Sequence, residues 1–254
     1  MVRFLAHVCS CASFLALSTF GCSDPASSTP ASSAPASSAP ASRSPTPGCR
    51  APAGVSNAPR TISETVTLIN SLPKPLSLPC FLESLARPLQ ISATNSFLSA
   101  QPAQGPRSPR IFLFEESTLL SVVPAGEGAQ LLEFGEQRPE LRSLKAELVF
   151  PVSAALEPSA PFEGVMFNSQ FTTCGGCHAS EAPESEISGV PTFVSLALRP
   201  RPSELVSTAS LIHELEICDR ALEAQRCAML DGLLGWGPVS DRAFPAEMAT
   251  FGAP

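Results

Sequence analysis

The chain has 254 residues and a formal net charge of −7, with 23 acidic and 16 basic side chains. Only two of the basic residues are lysines, Lys74 and Lys145. This charge balance argues against nucleic acid or an anionic membrane surface as a partner. The length leaves room for one large or two small domains.

The N-terminus has the pattern of an export signal, because a single arginine precedes an apolar run that ends at Phe20. The run is too short for a membrane span. It ends in Leu17-Ser18-Thr19-Phe20-Gly21-Cys22, which resembles a bacterial lipoprotein cleavage site, although that family usually has leucine at the position of Thr19. The resemblance implies lipidation of Cys22, and Ser23 after it implies passage to the outer membrane. Ordinary signal cleavage is the alternative.

A low-complexity segment follows, in which a Pro-Ala-Ser-Ser-like unit repeats every five residues from Pro25 to Pro40. Such a segment has almost no apolar side chains to bury, and its prolines favour an extended conformation. At about 3.1 Å per residue, roughly 25 residues of it would reach about 75 Å. Residues 23–59 are therefore predicted to be a disordered tether without activity of their own.

Residues 60–157 are predicted to be a β-rich domain that starts with a helix. Thr61-x-x-Glu64 is a capping box, and Ile62, Val66 and Ile69 follow at helical spacing. A short helical turn is expected around residues 80–85. Five apolar or alternating runs then predict strands: 89–93, 111–114, 119–123, 130–134 and 144–150. Their short connections indicate an antiparallel sheet or small sandwich, which serves as a structural element or a binding face.

The composition changes again at Pro158. Pro183 suggests that the polar stretch around it is a loop, and Ser203 is a plausible helix N-cap. The predicted segments are a loop at Glu181–Ser188, a strand at Pro191–Leu198, and helices at Glu204–Ile217 and Arg220–Leu234, the last ended by Gly235.

Cys218 and Cys227 place a geometric condition on these helices. Nine residues of continuous helix would separate the two side chains by about 13.5 Å, whereas a disulfide needs Cα atoms within about 7 Å. Pairing them therefore requires the helix to break between them. Because an exported chain favours disulfides, we expect Cys218–Cys227 to staple a helical corner and Cys49–Cys80 to form a second bridge.

The most informative motif is Cys174-Gly175-Gly176-Cys177-His178. In this spacing two thiols can add to the two vinyl groups of a haem, and the adjacent imidazole can bind its iron. The stretch resembles the attachment site of c-type cytochromes, and Gly164-Val165-Met166-Phe167 resembles the lead-in of that family. The resemblance implies covalent haem c at Cys174 and Cys177, with His178 as the proximal ligand, on a helix. It also implies an electron carrier rather than an enzyme, working with a redox protein partner.

The histidine count restricts this interpretation to a single haem, because His7 lies in the signal and only His178 and His213 remain. The candidates for the sixth iron ligand are Met166, His213, Met229 and Met248. Met229 shares an apolar helical stripe, which favours core packing. Met248 lies in a segment, Phe244–Phe251, that resembles the methionine loop of small cytochromes, although Ala249 replaces the usual proline. We expect Met248 to be the ligand, with five-coordinate iron as the alternative.

Three other interpretations remain. Cys174-Gly175-Gly176-Cys177 also resembles the active site of thioredoxin-like oxidoreductases, and Gly189–Thr192 their cis-proline segment, but only thirteen residues separate Cys177 from Pro191. A zinc site could use Cys174 and Cys177 together with Cys218 and Cys227. The motif could also be accidental, in an exported binding or structural protein without haem.

The sequence as a whole predicts an α+β protein, with an antiparallel β-rich portion followed by a small helical haem-binding portion. The expected divisions are a signal at 1–22, the tether at 23–59, a β-rich domain at 60–157 and a cytochrome c-like region at 158–254. The location that follows is the cell envelope, where a lipid on Cys22 holds the protein to the outer membrane, on its periplasmic or cell-surface side.

Overall fold

A computed structural model describes residues 49–99 and 101–252. The predicted signal, Cys22 and most of the predicted tether lie outside these residues. The described chain is α+β, as the sequence predicts. Its five α-helices are α1 Ile62–Ser71, α2 Leu78–Ser84, α3 Ala160–Glu163, α4 Thr208–Glu216 and α5 Ala224–Leu234. Its thirteen strands are β1 Leu89–Thr94, β2 Arg110–Glu115, β3 Thr118–Val122, β4 Leu131–Arg138, β5 Arg142–Val149, β6 Met166–Asn168, β7 Phe171–Thr172, β8 Ala182–Ile187, β9 Val190–Leu196, β10 Leu198–Arg199, β11 Leu205–Val206, β12 Val239–Asp241 and β13 Ala249–Thr250.

Nine of these strands form one large sheet within the described residues. Its order is β11-β1-β2-β3-β4-β5-β9-β8, and β12 pairs with the other end of β1. The pairing is antiparallel except between β1 and β12. The five strands predicted between residues 89 and 152 are all present as β1 to β5, and they form the predicted antiparallel sheet. Short apolar runs and hydrophobic alternation therefore identified the centre of the fold.

The expectation of a separate helical portion after residue 158 is wrong in one respect, because that part of the chain adds β8, β9, β11 and β12 to the same sheet. Residues on both sides of position 157 belong to one compact unit. The stretch predicted as a loop around Pro183 is the edge strand β8, paired with β9 through a register shift between Pro183 and Ser185. An edge strand tolerates proline because one side of its backbone has no partner strand.

The helices pack on one face of the sheet and form the hydrophobic core with it. Thr61 caps α1 as predicted, since its side chain accepts a hydrogen bond from the backbone N–H of Glu64. Helix α4 begins at Thr208, with Ser207 rather than Ser203 as its cap, because residues 202–204 form a 3₁₀ turn. Helix α5 lies against α2 at Gly232, where a Cβ atom would come within 2.6 Å of the Pro79 carbonyl oxygen. The apolar residues of β1 to β5 complete this core.

Two disulfides join the described cysteines in the pairs that the sequence analysis expected. Cys49 is bonded to Cys80 in α2, with a Cα–Cα distance of 5.0 Å. Cys218 is bonded to Cys227, with a Cα–Cα distance of 5.7 Å. The helix is interrupted between α4 and α5, as this pairing requires. The bridges fix the segment before α1 and the α4–α5 corner to the folded body.

Candidate functional site

The face of the sheet opposite the helices forms the floor of a cleft, which holds about 1420 Å³ of space when its solvent-open mouth is included. Alternation along β2 to β5 sends polar and aromatic side chains to this face. Two later segments line the cleft as well, one from Val165 to His178 and the other from Phe244 to Phe251. Side chains that line the cleft include Arg110, Phe112, Phe114, Ser121, Glu133, Ser143, Lys145, Glu147, Cys174, Cys177, His178 and Met248.

The Cys-x-x-Cys-His motif lies in a tight turn. Residues 173–176 form a 3₁₀ helix, and the backbone N–H groups of Cys177 and His178 both donate to the carbonyl of Cys174, at 3.0 and 2.8 Å. A Cβ at Gly175 would come within 2.7 Å of Glu181 Oε1, a carboxylate that accepts hydrogen bonds from the Thr172 backbone and hydroxyl. A side chain at position 175 would therefore displace the Glu181 carboxylate from these hydrogen bonds. The turn leads to β8 and not into the helix that the cytochrome resemblance implied.

His178 is held with one ring nitrogen available. Its Nδ1 lies 2.8 Å from the carbonyl oxygen of Leu196, which can only accept, and 3.3 Å from the Lys145 ammonium, which can only donate. The shorter contact favours the tautomer with the proton on Nδ1, in which Nε2 is the nitrogen with a lone pair. Metal-binding histidines are commonly oriented by a hydrogen bond of this kind. Burial, together with the Lys145 ammonium 3.3 Å from Nδ1, lowers the pKa of His178 to about 4. The imidazole is therefore neutral at physiological pH, as a metal ligand must be.

Met248 is positioned by the same stretch of chain that orients His178. Strand β10 directly follows the Leu196 end of β9 and pairs with β13, which contains Ala249. The Arg199 side chain donates to the Met248 carbonyl at 2.8 Å. Phe244 anchors the rest of the segment, because its ring packs edge-on against Phe112 and Phe114. Both predicted axial residues thus line one cleft and depend on residues 190–199 for their placement.

The other three candidates for the sixth ligand lie elsewhere. Met229 is only 1% exposed and belongs to the hydrophobic core, as its helical stripe predicted. His213 is exposed on α4, and Met166 is in β6 outside the cleft lining. Of the four residues considered from sequence, Met248 is the one that shares the cleft with His178.

The two thiols of the motif are free, with Cys174 half-buried and Cys177 exposed. Burial raises the pKa of the Cys174 thiol, and the nearby Lys145 opposes this effect only in part. Thiol–disulfide oxidoreductases instead depend on a cysteine with a depressed pKa. The Val190–Pro191 bond is trans, since the cis bonds of the described chain precede Pro75, Pro88 and Pro151. Both observations weigh against the thioredoxin-like interpretation.

The zinc interpretation conflicts with the disulfides. Cys218 and Cys227 are bonded to each other and cannot act as thiolate ligands together with Cys174 and Cys177. Within residues 49–99 and 101–252, no three His, Cys, Asp or Glu side chains are grouped so that they could hold a metal ion.

The polar floor of the cleft was not recognised from the sequence. Arg110 forms an ion pair with Glu133, and Lys145 donates to Ser143 Oγ at 2.7 Å. Burial lowers the pKa of Lys145 to about 8, and burial with the like charge of Glu133 raises the pKa of Glu147 to about 7. The alternation along β5 was visible in the sequence, but it indicated only that one face is not in the core.

No protein-family model, curated protein or solved structure matches this chain. The likeness to c-type cytochromes therefore depends on the motif and the residues around it.

Proposed function

We propose that this protein binds one haem covalently through Cys174 and Cys177, with His178 as the proximal iron ligand and Met248 as the ligand opposite. Its function is one-electron transfer at the cell envelope. The observation that supports the proposal best is that all four side chains line one cleft, in which the Leu196 carbonyl orients His178 through Nδ1.

The residues present fit the chemistry of such a group. Two glycines lie between the thiols, a neutral imidazole is fixed by a backbone carbonyl, and a thioether lines the same cleft. When bound, haem iron supplies one-electron redox chemistry. The protein supplies attachment through the thiols and orientation of His178 through Leu196. With haem bound, the positive charge of Lys145 beside the imidazole would favour ferrous over ferric iron.

In this proposal the haem-binding region is not an independent helical domain. Residues 158–254 contribute Met248 and the turn of residues 173–178 that carries the two thiols, which we call the attachment turn. Strands β2 to β5 contribute the floor of the cleft. The proposed haem site is therefore one face of the sheet, covered by the segments 165–178 and 244–251. The cytochrome resemblance implied helical surroundings instead.

The location in the envelope is a separate part of the proposal, supported by the export-type N-terminus and by the two disulfides. In the part of the chain that the structure describes, no helix is long and apolar enough to cross a membrane. Attachment through a lipid on Cys22 predicts that Cys22→Ala releases the protein from the membrane fraction. Continued sedimentation of that variant with membranes would show that the cleavage site has been misinterpreted.

The direct test of haem binding is a pyridine haemochrome spectrum of protein exported by a host with a working haem-attachment system. We expect thioether-bound haem in the unmodified protein and in His213→Ala, a control that removes the exposed histidine. Cys174→Ser/Cys177→Ser should contain no covalent haem. Absence of haem from the unmodified protein, or its persistence on the double variant, would contradict the proposal.

A further inference from the structure

Next to the attachment turn, the hairpin formed by β6 and β7 presents two aromatic rings to solvent. Phe167 is 68% exposed and Phe171 is 43% exposed, and their rings stack 5.4 Å apart with an interplanar angle of 13°. The hairpin is held in shape by Asn168, whose Oδ1 accepts hydrogen bonds from the backbone N–H groups of Gln170 and Phe171. An ordered pair of exposed aromatic rings is a common feature of contact surfaces.

The hairpin is joined rigidly to the turn that carries the thiols. Strand β7 ends at Thr172, whose hydroxyl accepts from the Cys174 backbone N–H and donates to Glu181. The Thr173 backbone N–H donates to the Val165 carbonyl on the other side of the hairpin. The two phenylalanines and the exposed Cys177 therefore belong to one connected surface segment.

The sequence around this segment is acidic. Residues 151–198 contain five glutamates and no lysine or arginine. Glu163 precedes the hairpin and Glu181 follows the motif. Two arginines of the neighbouring strands also reach this region: Arg142 donates to the backbone carbonyls of Ser180 and Val194, and Arg138 forms an ion pair with Glu184. Lys145 is buried beneath the motif.

We infer that the Phe167–Phe171 hairpin is the docking surface for a redox protein with a basic contact face. This inference rests on the proposed haem function, which places the electron carrier next to the hairpin. An acidic surround selects a partner of opposite charge, because complementary potentials accelerate encounter. Lysine or arginine side chains of such a partner would also find exposed aromatic faces to pack on. A contact centred on two rings fits the small, transient interfaces of electron-transfer complexes.

The test compares Phe167→Ser/Phe171→Ser with a matched control, Ile212→Ser/Leu222→Ser, which removes two exposed apolar side chains on α4 and the loop after it. The reduced, haem-loaded proteins are mixed in a stopped-flow instrument with a small basic redox protein, a small acidic one, or ferricyanide. We expect the rate constant with the basic protein to fall about tenfold, equivalent to about 1.4 kcal/mol, in the phenylalanine variant only. The rate should also fall as salt is added, and the ferricyanide rates should stay equal.

Equal rates with the basic protein for both double variants would overturn the inference, as would a preference for the acidic protein. If the phenylalanine variant also reacts more slowly with ferricyanide, or contains less haem, the two rings belong to the haem site and not to a docking surface. Haemochrome spectra of every sample report separately on the proposed function. If they show no haem, calorimetric titration of the haem-free protein with the same basic protein decides the docking question. Binding that both double variants retain equally, or no binding at all, would refute it.

Discussion

Truncating Met248 and Met229 to alanine separates iron ligation from core packing, because only the first side chain lines the cleft. Met229 is 1% exposed among the core residues of α5 and the sheet. Its truncation removes three heavy atoms, worth about 0.8 kcal/mol each in lost burial, and leaves a cavity. Met229→Ala should therefore lower the free energy of unfolding by about 2–5 kcal/mol.

Met248 is 8% exposed, but it lies outside the hydrophobic core cluster and lines the open cleft. Met248→Ala should therefore cost less stability, because water from the cleft can fill the space that the side chain leaves. Its effect should appear in the haem-loaded protein. Loss of the thioether ligand should abolish the weak near-infrared sulfur-to-iron charge-transfer band and lower the reduction potential, since thioether ligation favours ferrous iron.

The assay combines urea unfolding with a near-infrared spectrum and a potentiometric titration of each variant. If the band disappears with Met229→Ala and survives Met248→Ala, the ligand assignment is reversed. If the unmodified protein has no such band, Met248 is not the ligand, and binding of a small molecule at an open iron site becomes the better functional proposal.

Two further predictions concern stability. The bridges Cys49–Cys80 and Cys218–Cys227 close segments of 31 and 9 residues. Replacing both cysteines of the first bridge by serine should lower the free energy of unfolding in urea by about 3.7 kcal/mol, and the same change at the second bridge by about 2.6 kcal/mol. A larger loss at the second bridge would show that loop entropy does not dominate. The pKa of Glu147 rises from 4.5 to about 7 on folding because of burial and Glu133, so its stabilising contribution is complete below pH 4.5 and is lost as the pH rises through 7. Between pH 5 and pH 8, the free energy of unfolding of Glu147→Gln should therefore fall less than that of the unmodified protein. If the free energy of unfolding depends on pH identically in the two proteins, the raised pKa of Glu147 is contradicted.

Local patterns in the sequence were sufficient to predict the parts of the fold that depend on neighbouring residues. Strands β1 to β5 were predictable because each is a short apolar run or, as in β1 and β5, alternates between apolar and polar residues with one face in the core. The Cys218–Cys227 bridge was predictable because a continuous helix could not have joined the two thiols.

The remaining features depend on contacts between distant parts of the chain. Strands β11 and β12 are two and three residues long and owe their pairing to β1, more than a hundred residues earlier. Strand β8 has a polar, proline-containing sequence, and only its position at the sheet edge makes it a strand. The charged floor around Lys145 could not be inferred either. A polar face looks the same in sequence whether water or a folded segment covers it.

The edge strand β8 also bears on how the protein behaves at high local concentration. A free sheet edge is a template for pairing with another chain, and the proposed tether would hold copies of the protein close together. Pro183 has no N–H to offer such a neighbour, and the exposed Glu186 would bring like charges together in an edge-to-edge contact. The composition of β8 therefore opposes edge-to-edge pairing of two copies of the protein at this strand.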